Sequence, residues 1–297
     1  MKHTVFKGSG VALITPFDKS GENINYDKLG ELIEYHIANS TDAIILCGTT
    51  GEAPTLPDEQ HMEAIEYAVA KVAGRIPLIA GTGSNYTDHA VMMTRFAQKA
   101  GADAVLCVTP YYNKTTQRGL VKNYEAIAAS ADLPVIMYSV PARTGVNITP
   151  ETAKELSKIE NIVALKEASG NISQVAKIAQ LCGDNLDIYS GNDDQIVPVM
   201  SLGGIGVISV LANVAPKQTH DMVMKYLEGD VAGSLKMQLD CIELVEALFC
   251  EVNPIPVKEA CNMLGFDVGP VRLPLYEMSD ENKIRLKAAL SGYGLLK

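Results

Sequence analysis

The chain has 297 residues, 47% of them hydrophobic and 20% charged, which suits a soluble globular protein with one large core or a large domain plus an appendage. The net charge is −10, from 25 basic and 35 acidic residues, and no basic stripe appears, so neither nucleic acid nor an anionic membrane surface is expected as a partner. Met1-Lys2-His3-Thr4 opens no signal-peptide pattern and no apolar run approaches membrane-spanning length, which points to the cytoplasm.

In chain order the strand-like runs are Gly10–Thr15, Ala43–Cys47, Leu78–Gly81, Ala104–Thr109, Val135–Ser139, Ile162–Lys166, Asp187–Ser190 and Gly206–Leu211. Most are continuously apolar, the mark of parallel strands covered on both faces. Between them, helical patterns cover Asp27–Ala38, Asp58–Ala73, Thr87–Ala100, Gln117–Ser130, Pro150–Ser157, Ser173–Cys182, Asp193–Leu202 and Pro216–Leu227. Thr149 before Pro150 is one clear helix start. Eight strand–helix units predict an α/β fold, a (β/α)8 TIM barrel over residues 1–229. The rival, a doubly wound open sheet, calls for a glycine-rich turn after its first strand, whereas Gly8-Ser9-Gly10 precedes that strand. After residue 229 the alternation stops. Val231–Phe249, Pro256–Leu264 and Asp280–Leu290 predict a small C-terminal helical domain over 230–297.

None of the six cysteines forms a Cys-x-x-Cys pair, and the five histidines form no pair at metal-ligand spacing. No metal, cofactor or disulfide framework is expected.

A TIM barrel takes its catalytic groups from the C-terminal ends of the strands and the loops after them. Gly48-Thr49-Thr50-Gly51-Glu52 offers two hydroxyls and several amides for a small carboxylate, or is a plain turn. Gly81-Thr82-Gly83 reads as close backbone packing, and Thr109-Pro110-Tyr111-Tyr112-Asn113 as packing or an interface. Tyr138 shares the parity of Ile136, and Arg143 on the next loop can fork onto a carboxylate or make a surface ion pair. Gly191-Asn192-Asp193-Asp194 can line a site or cap a helix. Lys166 stands in the apolar run Ile162-Val163-Ala164-Leu165-Lys166. A buried lysine is costly, but a neutral amine is what attacks a carbonyl to form a Schiff base. The alternative is an ammonium that snorkels to water. Lys166 and Tyr138 fall on neighbouring strands, so the hydroxyl can shuttle protons for the amine.

Gly-Thr-Thr-Gly-Glu at 48–52, Thr-Pro-Tyr-Tyr-Asn at 109–113, Tyr138 with Val-Pro-x-Arg-Thr-Gly at 140–145, Lys-Glu-Ala-Ser-Gly at 166–170 and Ser-Gly-Asn-Asp at 190–193 together resemble the pyruvate-dependent aldolase and lyase barrels. Within them the resemblance is to the 4-hydroxy-tetrahydrodipicolinate synthase (dihydrodipicolinate synthase) family, over essentially the whole chain. Ser139 departs from the family's usual asparagine.

The resemblance implies that Lys166 forms an imine with pyruvate and that the enamine attacks L-aspartate 4-semialdehyde. The substrate's own amine then displaces the lysine, so no external cofactor is needed. Tyr138, Thr50 and Tyr112 match the family's proton-relay residues, with Tyr112 serving the neighbouring subunit. Thr49 and Thr50 would hold the pyruvate carboxylate and Arg143 that of the semialdehyde, with Gly191 and Ile208 lining the pocket. A cytoplasmic homotetramer in lysine and diaminopimelate synthesis is implied. Effector positions of lysine-inhibited members match Ala53, Pro54, Asp58, His61, Asn85, His89 and Tyr111. A carboxylate usually stands where His89 does, so weak or absent lysine inhibition is expected. Sister lyases such as N-acetylneuraminate lyase share the lysine and tyrosine. A non-catalytic binding barrel is the alternative of a different class.

Overall fold

Eight parallel strands pair in sequence order and close on themselves. They are β1 (Gly8–Ala12), β2 (Ala43–Leu46), β3 (Leu78–Gly81), β4 (Ala104–Val108), β5 (Val135–Ser139), β6 (Ile162–Glu167), β7 (Asp187–Ser190) and β8 (Gly206–Ser209), with β1 meeting β8 through Gly10 opposite Ile208. The structure is a computed structural model and describes residues 3–296. The helices between the strands are α1 (Tyr26–Ala38), α2 (Asp58–Val72), α3 (Thr87–Ala100), α4 (Gln117–Ala128), a short α5 (Pro141–Thr144), α6 (Pro150–Leu156), α7 (Ile172–Cys182) and α8 (Ile196–Ser201), with α9 (Pro216–Leu227) after β8. This is the expected TIM barrel with C-terminal helices.

The apolar strands do two jobs because neighbouring side chains point to opposite faces. Ile45, Ile79, Leu106, Ile136, Ala164 and Ile208 fill the barrel. Ile44, Val105, Met137, Leu165 and Val207 pack outward in the cluster that also holds the helices' apolar faces, such as Leu29 and Met93. At the N-terminal end Phe6 stacks on Tyr189 at 4.4 Å between ring centroids, and the Tyr189 hydroxyl donates to Phe6 O at 2.7 Å. This closes the floor and leaves the C-terminal end as the open mouth. Thr149 caps α6 by accepting from Thr152 N–H, as its position before Pro150 predicts.

Three expectations need correction. The first strand runs Gly8–Ala12 rather than Gly10–Thr15: Leu13 N–H still donates to Ile45 O of β2 at 2.9 Å, but beyond it the chain finds other partners. Ile14 N–H donates to the Asn213 side chain at 3.1 Å, and the Thr15 hydroxyl donates to Gly51 O at 2.6 Å. The helix expected over 193–202 opens as a 3-10 turn over Asp193–Gln195 and is α-helical only over Ile196–Ser201, while the Asp193 carboxylate is spent across the sheet on Val210 and Leu211 N–H rather than on a cap. The run 231–249 is two helices, α10 (Val231–Asp240) and α11 (Ile242–Leu248), with Cys241 as the corner between them.

The chain ends in α12 (Ile255–Met263) and α13 (Asp280–Gly292). Leu244, Val257, Ala260 and Leu286 from this part share one apolar cluster with the helical layer of the barrel. We propose the division at 229/230 as one of topology rather than of separate cores. No helix among the described residues is long and apolar enough to cross a membrane.

Candidate active site

Lys166 and Tyr138 face each other across β5 and β6, directly in register, with the amine 4.3 Å from the ring centroid. A bulge between Val135 and Ile136 prepares this. Val135 pairs with Ile162 but Ile136 with Ala164, so Val163 is the extra residue and Ala164 and Lys166 take the parity that looks into the barrel. Lys166 is buried, and its amine has no hydrogen bond or ion pair among the described residues. Beside it, a Cβ added to Gly191 would meet Lys166 Cε at 3.2 Å and Ala168 Cβ at 2.7 Å. Only glycine lets the turn after β7 pass this close to the lysine. Ile208 is fully buried in the inner cluster of the same barrel.

Above this floor a cavity of about 360 Å³ is lined by Thr49, Tyr138, Val140 and Arg143. It continues past Tyr111 to Ala53, Pro54, Asp58, His61 and His89. Of the sequence-predicted positions, Thr49, Tyr138 and Arg143 of the substrate set and Ala53, Pro54, Asp58, His61, His89 and Tyr111 of the effector set therefore open into one space, whereas Thr50, Gly191, Ile208 and Asn85 do not line it. Arg143 is exposed on α5, and no carboxylate among the described residues lies in ion-pair range, so its fork is available to a ligand. Its Nη2 donates to Asn253 O at 3.1 Å. The Asn253 side-chain amide donates to the buried Thr50 hydroxyl at 3.0 Å. Asn253 thus joins two predicted site residues, although sequence reasoning passed it over. Its signal was weak: an asparagine before Pro254, in a proline-punctuated stretch that reads as a turn.

Behind the site, the Asp193 carboxylate accepts from the Ser209 hydroxyl at 2.6 Å as well as from the two amides at the end of β8. Burial raises its pKa, against the pull of these bonds and of Lys166. Burial likewise raises Glu167, which accepts from the Gln174 side chain at 2.9 Å. Gln174 holds Asn147, and the Ser139 hydroxyl donates to Asn147 Oδ1 at 3.3 Å. The serine that departs from the family pattern is therefore built into a network behind the strands, away from the cavity.

Gly81 is close packing as expected, since a Cβ there would stand 2.2 Å from Cys47 O. His61 donates through Nε2 to Gly81 O at 2.9 Å, and burial lowers its pKa. His89 Nε2 lies 3.0 Å from Asp58 Oδ1, so this arm of the cavity does hold a carboxylate, already paired with an imidazole. Asn85 O accepts from the Asn113 side chain at 2.9 Å. Tyr112 is not brought to this site. It is 91% exposed and sits in left-handed backbone at φ 69°. No group of three His, Cys, Asp or Glu side chains among the described residues is placed to hold a metal ion.

The sequence model of the dihydrodipicolinate synthetase family matches residues 5–292. The chain belongs to this family. It is 60% identical over 294 residues to a 4-hydroxy-tetrahydrodipicolinate synthase of Thermoanaerobacter sp. (strain X514), covering 99% of this chain and 98% of the relative. The fold superposes on a crystal structure of dihydrodipicolinate synthase from Aquifex aeolicus with a TM-score of 0.95, at 48% identity over 98% of this chain and 99% of that one. A Cyanidioschyzon merolae member of the family, solved with lysine bound, matches with a TM-score of 0.96 at 39% identity, over 99% and 100% of the two chains. The stretches 48–52, 138–145, 166–170 and 190–193 all lie at the open end described above.

Proposed function

We propose that this chain condenses pyruvate with L-aspartate 4-semialdehyde to give 4-hydroxy-tetrahydrodipicolinate, in lysine and diaminopimelate synthesis. The family and the names of its close relatives support the substrates. The observation that carries the mechanism is the Lys166 amine, buried, without a hydrogen bond or ion pair among the described residues, and lying against the Tyr138 ring.

Lys166 attacks C2 of pyruvate, and loss of water leaves an imine. The imine draws electrons from the neighbouring methyl group, so a proton leaves and an enamine forms. In this reading the Tyr138 hydroxyl carries protons to and from this nitrogen, with Thr50 next in the relay. Thr49 and Thr50 bind the pyruvate carboxylate, and Gly191 and Ile208 shape the wall beside it. The enamine carbon attacks the aldehyde of the semialdehyde, whose carboxylate Arg143 holds in a bidentate fork. The semialdehyde's amine then adds to the imine carbon and expels Lys166, which closes the ring and frees the enzyme. The imine is its own electron sink for this chemistry.

Tyr112 supports self-association. A bulky side chain held in left-handed backbone and turned to solvent is costly unless something uses it. A second copy whose site it completes is the use we propose, within a homotetramer in the cytoplasm. Lysine inhibition is weak or absent in this reading, because His89 stands where inhibited members usually carry the carboxylate that grips an effector's ammonium, and the Asp58 carboxylate of the same arm is already engaged by His89.

The test is an aldehyde panel with pyruvate in excess. Aspartate semialdehyde should be consumed with ring-closed product, and Lys166→Ala should consume none. Preferred turnover of N-acetylmannosamine would overturn the substrate assignment and favour a sister lyase.

A further inference from the structure

Directly after the Thr49–Thr50 turn, Glu52 takes left-handed backbone at φ 57° and sends its carboxylate into the protein. Glu52 Oε1 accepts from Lys258 Nζ of α12 at 2.7 Å, with the two side chains 0% and 2% exposed. Its Oε2 accepts from the Arg272 backbone N–H at 2.9 Å. Lys258 also donates to Pro270 O at 2.6 Å. The Phe17 ring lies against two cations, with Lys258 Nζ 3.9 Å and Arg272 Cζ 4.0 Å from its centroid. The Arg272 guanidinium ties down Gly21 O, Glu22 O and Thr55 O. Three separate stretches of chain meet at this node.

A plain structural ion pair could sit anywhere in the interface. This one holds the residue two positions beyond Thr50. The stretch leading into α12 grips the same turn a second time, through Asn253 onto the Thr50 hydroxyl. The Thr15 hydroxyl holds Gly51 O between the two grips. The turn that presents Thr49 and Thr50 is therefore fixed at 50, 51 and 52 by partners outside itself, two of them from one C-terminal stretch. Burying this lysine has a cost: desolvation lowers its pKa to about 8 in spite of the Glu52 charge. Buried ion pairs are poor stabilisers compared with apolar packing, so their retention at such a place points to a geometric task.

We propose that Lys258, through its buried pair with Glu52, is a positioning residue that holds the Thr49–Thr50 turn in the shape that receives the pyruvate carboxylate. The C-terminal stretch is thereby part of the pyruvate site without touching pyruvate. The claim rests on the functional reading above, in which those threonines bind that carboxylate.

The experiment measures KM for each substrate separately in the full-length enzyme for Lys258→Met, Glu52→Gln and the milder Arg272→Met. The first two should raise KM for pyruvate about ten-fold and the third about three-fold, with KM for the semialdehyde changed less than about two-fold. Lower melting temperatures with both KM values held at wild type would overturn the proposal and leave the node a structural staple. If Lys258→Met and Glu52→Gln do not fold, Glu52→Asp, which keeps the charge but shortens its reach to Lys258, decides: a selective rise in KM for pyruvate supports the clamp and unchanged KM values overturn it. Borohydride trapping of the wild-type enzyme with pyruvate separates the two claims. No adduct there removes the functional reading itself, whereas an adduct with unchanged KM values in the variants removes only the clamp.

Discussion

Two buried lysines sit against aromatic rings in this molecule, and they are opposites. Lys258 lies 3.9 Å from the Phe17 centroid and is fully engaged, with a carboxylate at 2.7 Å and a carbonyl at 2.6 Å. Lys166 lies 4.3 Å from the Tyr138 centroid and has no such partner among the described residues. Burial alone does not make a lysine catalytic. What distinguishes them is the surroundings: one amine is consumed by structure at the seam with α12, and the other stands against the Tyr138 ring with no hydrogen bond or ion pair among the described residues, which is why the proposed chemistry is placed on it.

The comparison breaks most visibly at Lys166. Lys166→Ala should lower kcat by about 10⁴-fold or more while the melting temperature stays within a few degrees, because no hydrogen bond or ion pair is lost. Steady-state turnover beside a calorimetric scan checks both halves. Tyr138→Phe keeps the ring and removes the proton carrier, so kcat should fall about 10²- to 10⁴-fold while pyruvate still forms an imine on Lys166, read by mass spectrometry after reduction. Lys258→Met inverts the pattern. Leaving the Glu52 carboxylate buried without its partner should cost about 3–5 kcal/mol in a denaturant titration, while kcat at saturating pyruvate stays within about ten-fold. If Lys166→Ala instead proved the less stable variant and Lys258→Met the inactive one, the division of labour would be wrong.

Smaller effects sharpen the account away from the two lysines. His36 is fully buried, with Nδ1 3.0 Å from the Thr41 hydroxyl, and burial lowers its pKa from 6.5 to about 3. The unfolded chain takes up this proton below pH 6.5 and the native protein does not, so stability is full above that pH and falls as pH drops toward 3. The slope from this one group is at most about 1.4 kcal/mol per pH unit, and His36→Gln should remove that share from the acid limb of the unfolding curve. Lysine at about millimolar concentration should change turnover by less than about two-fold, and sub-millimolar inhibition would show that the Asp58–His89 pair opens for an effector.

Much of this was legible in the sequence because barrel strands are short, apolar and regularly spaced, and because a lysine in such a run stands out. Tyr138 and Lys166 follow from strand parity, although the bulge at Val135–Ile136 that sets the register does not. The polar links across the fold were not legible. Asn253 to Thr50 and Lys258 to Glu52 join residues 203 and 206 positions apart, and no local pattern announces such a pairing. Lys258 did carry a signal, since it shares a helix with buried Val257, Ala260 and Cys261, much as Lys166 shares a strand with apolar neighbours. Asp193 looked like a cap from its place before a helix, but its carboxylate turns to the end of β8 instead.

The most direct test of the central claim is to reduce the wild-type enzyme with borohydride in the presence of pyruvate and map every lysine by peptide mass spectrometry. The account predicts one stoichiometric adduct, on Lys166, with Lys258 unmodified. An adduct on Lys258 or any other lysine in place of Lys166, or no adduct at all, would contradict it.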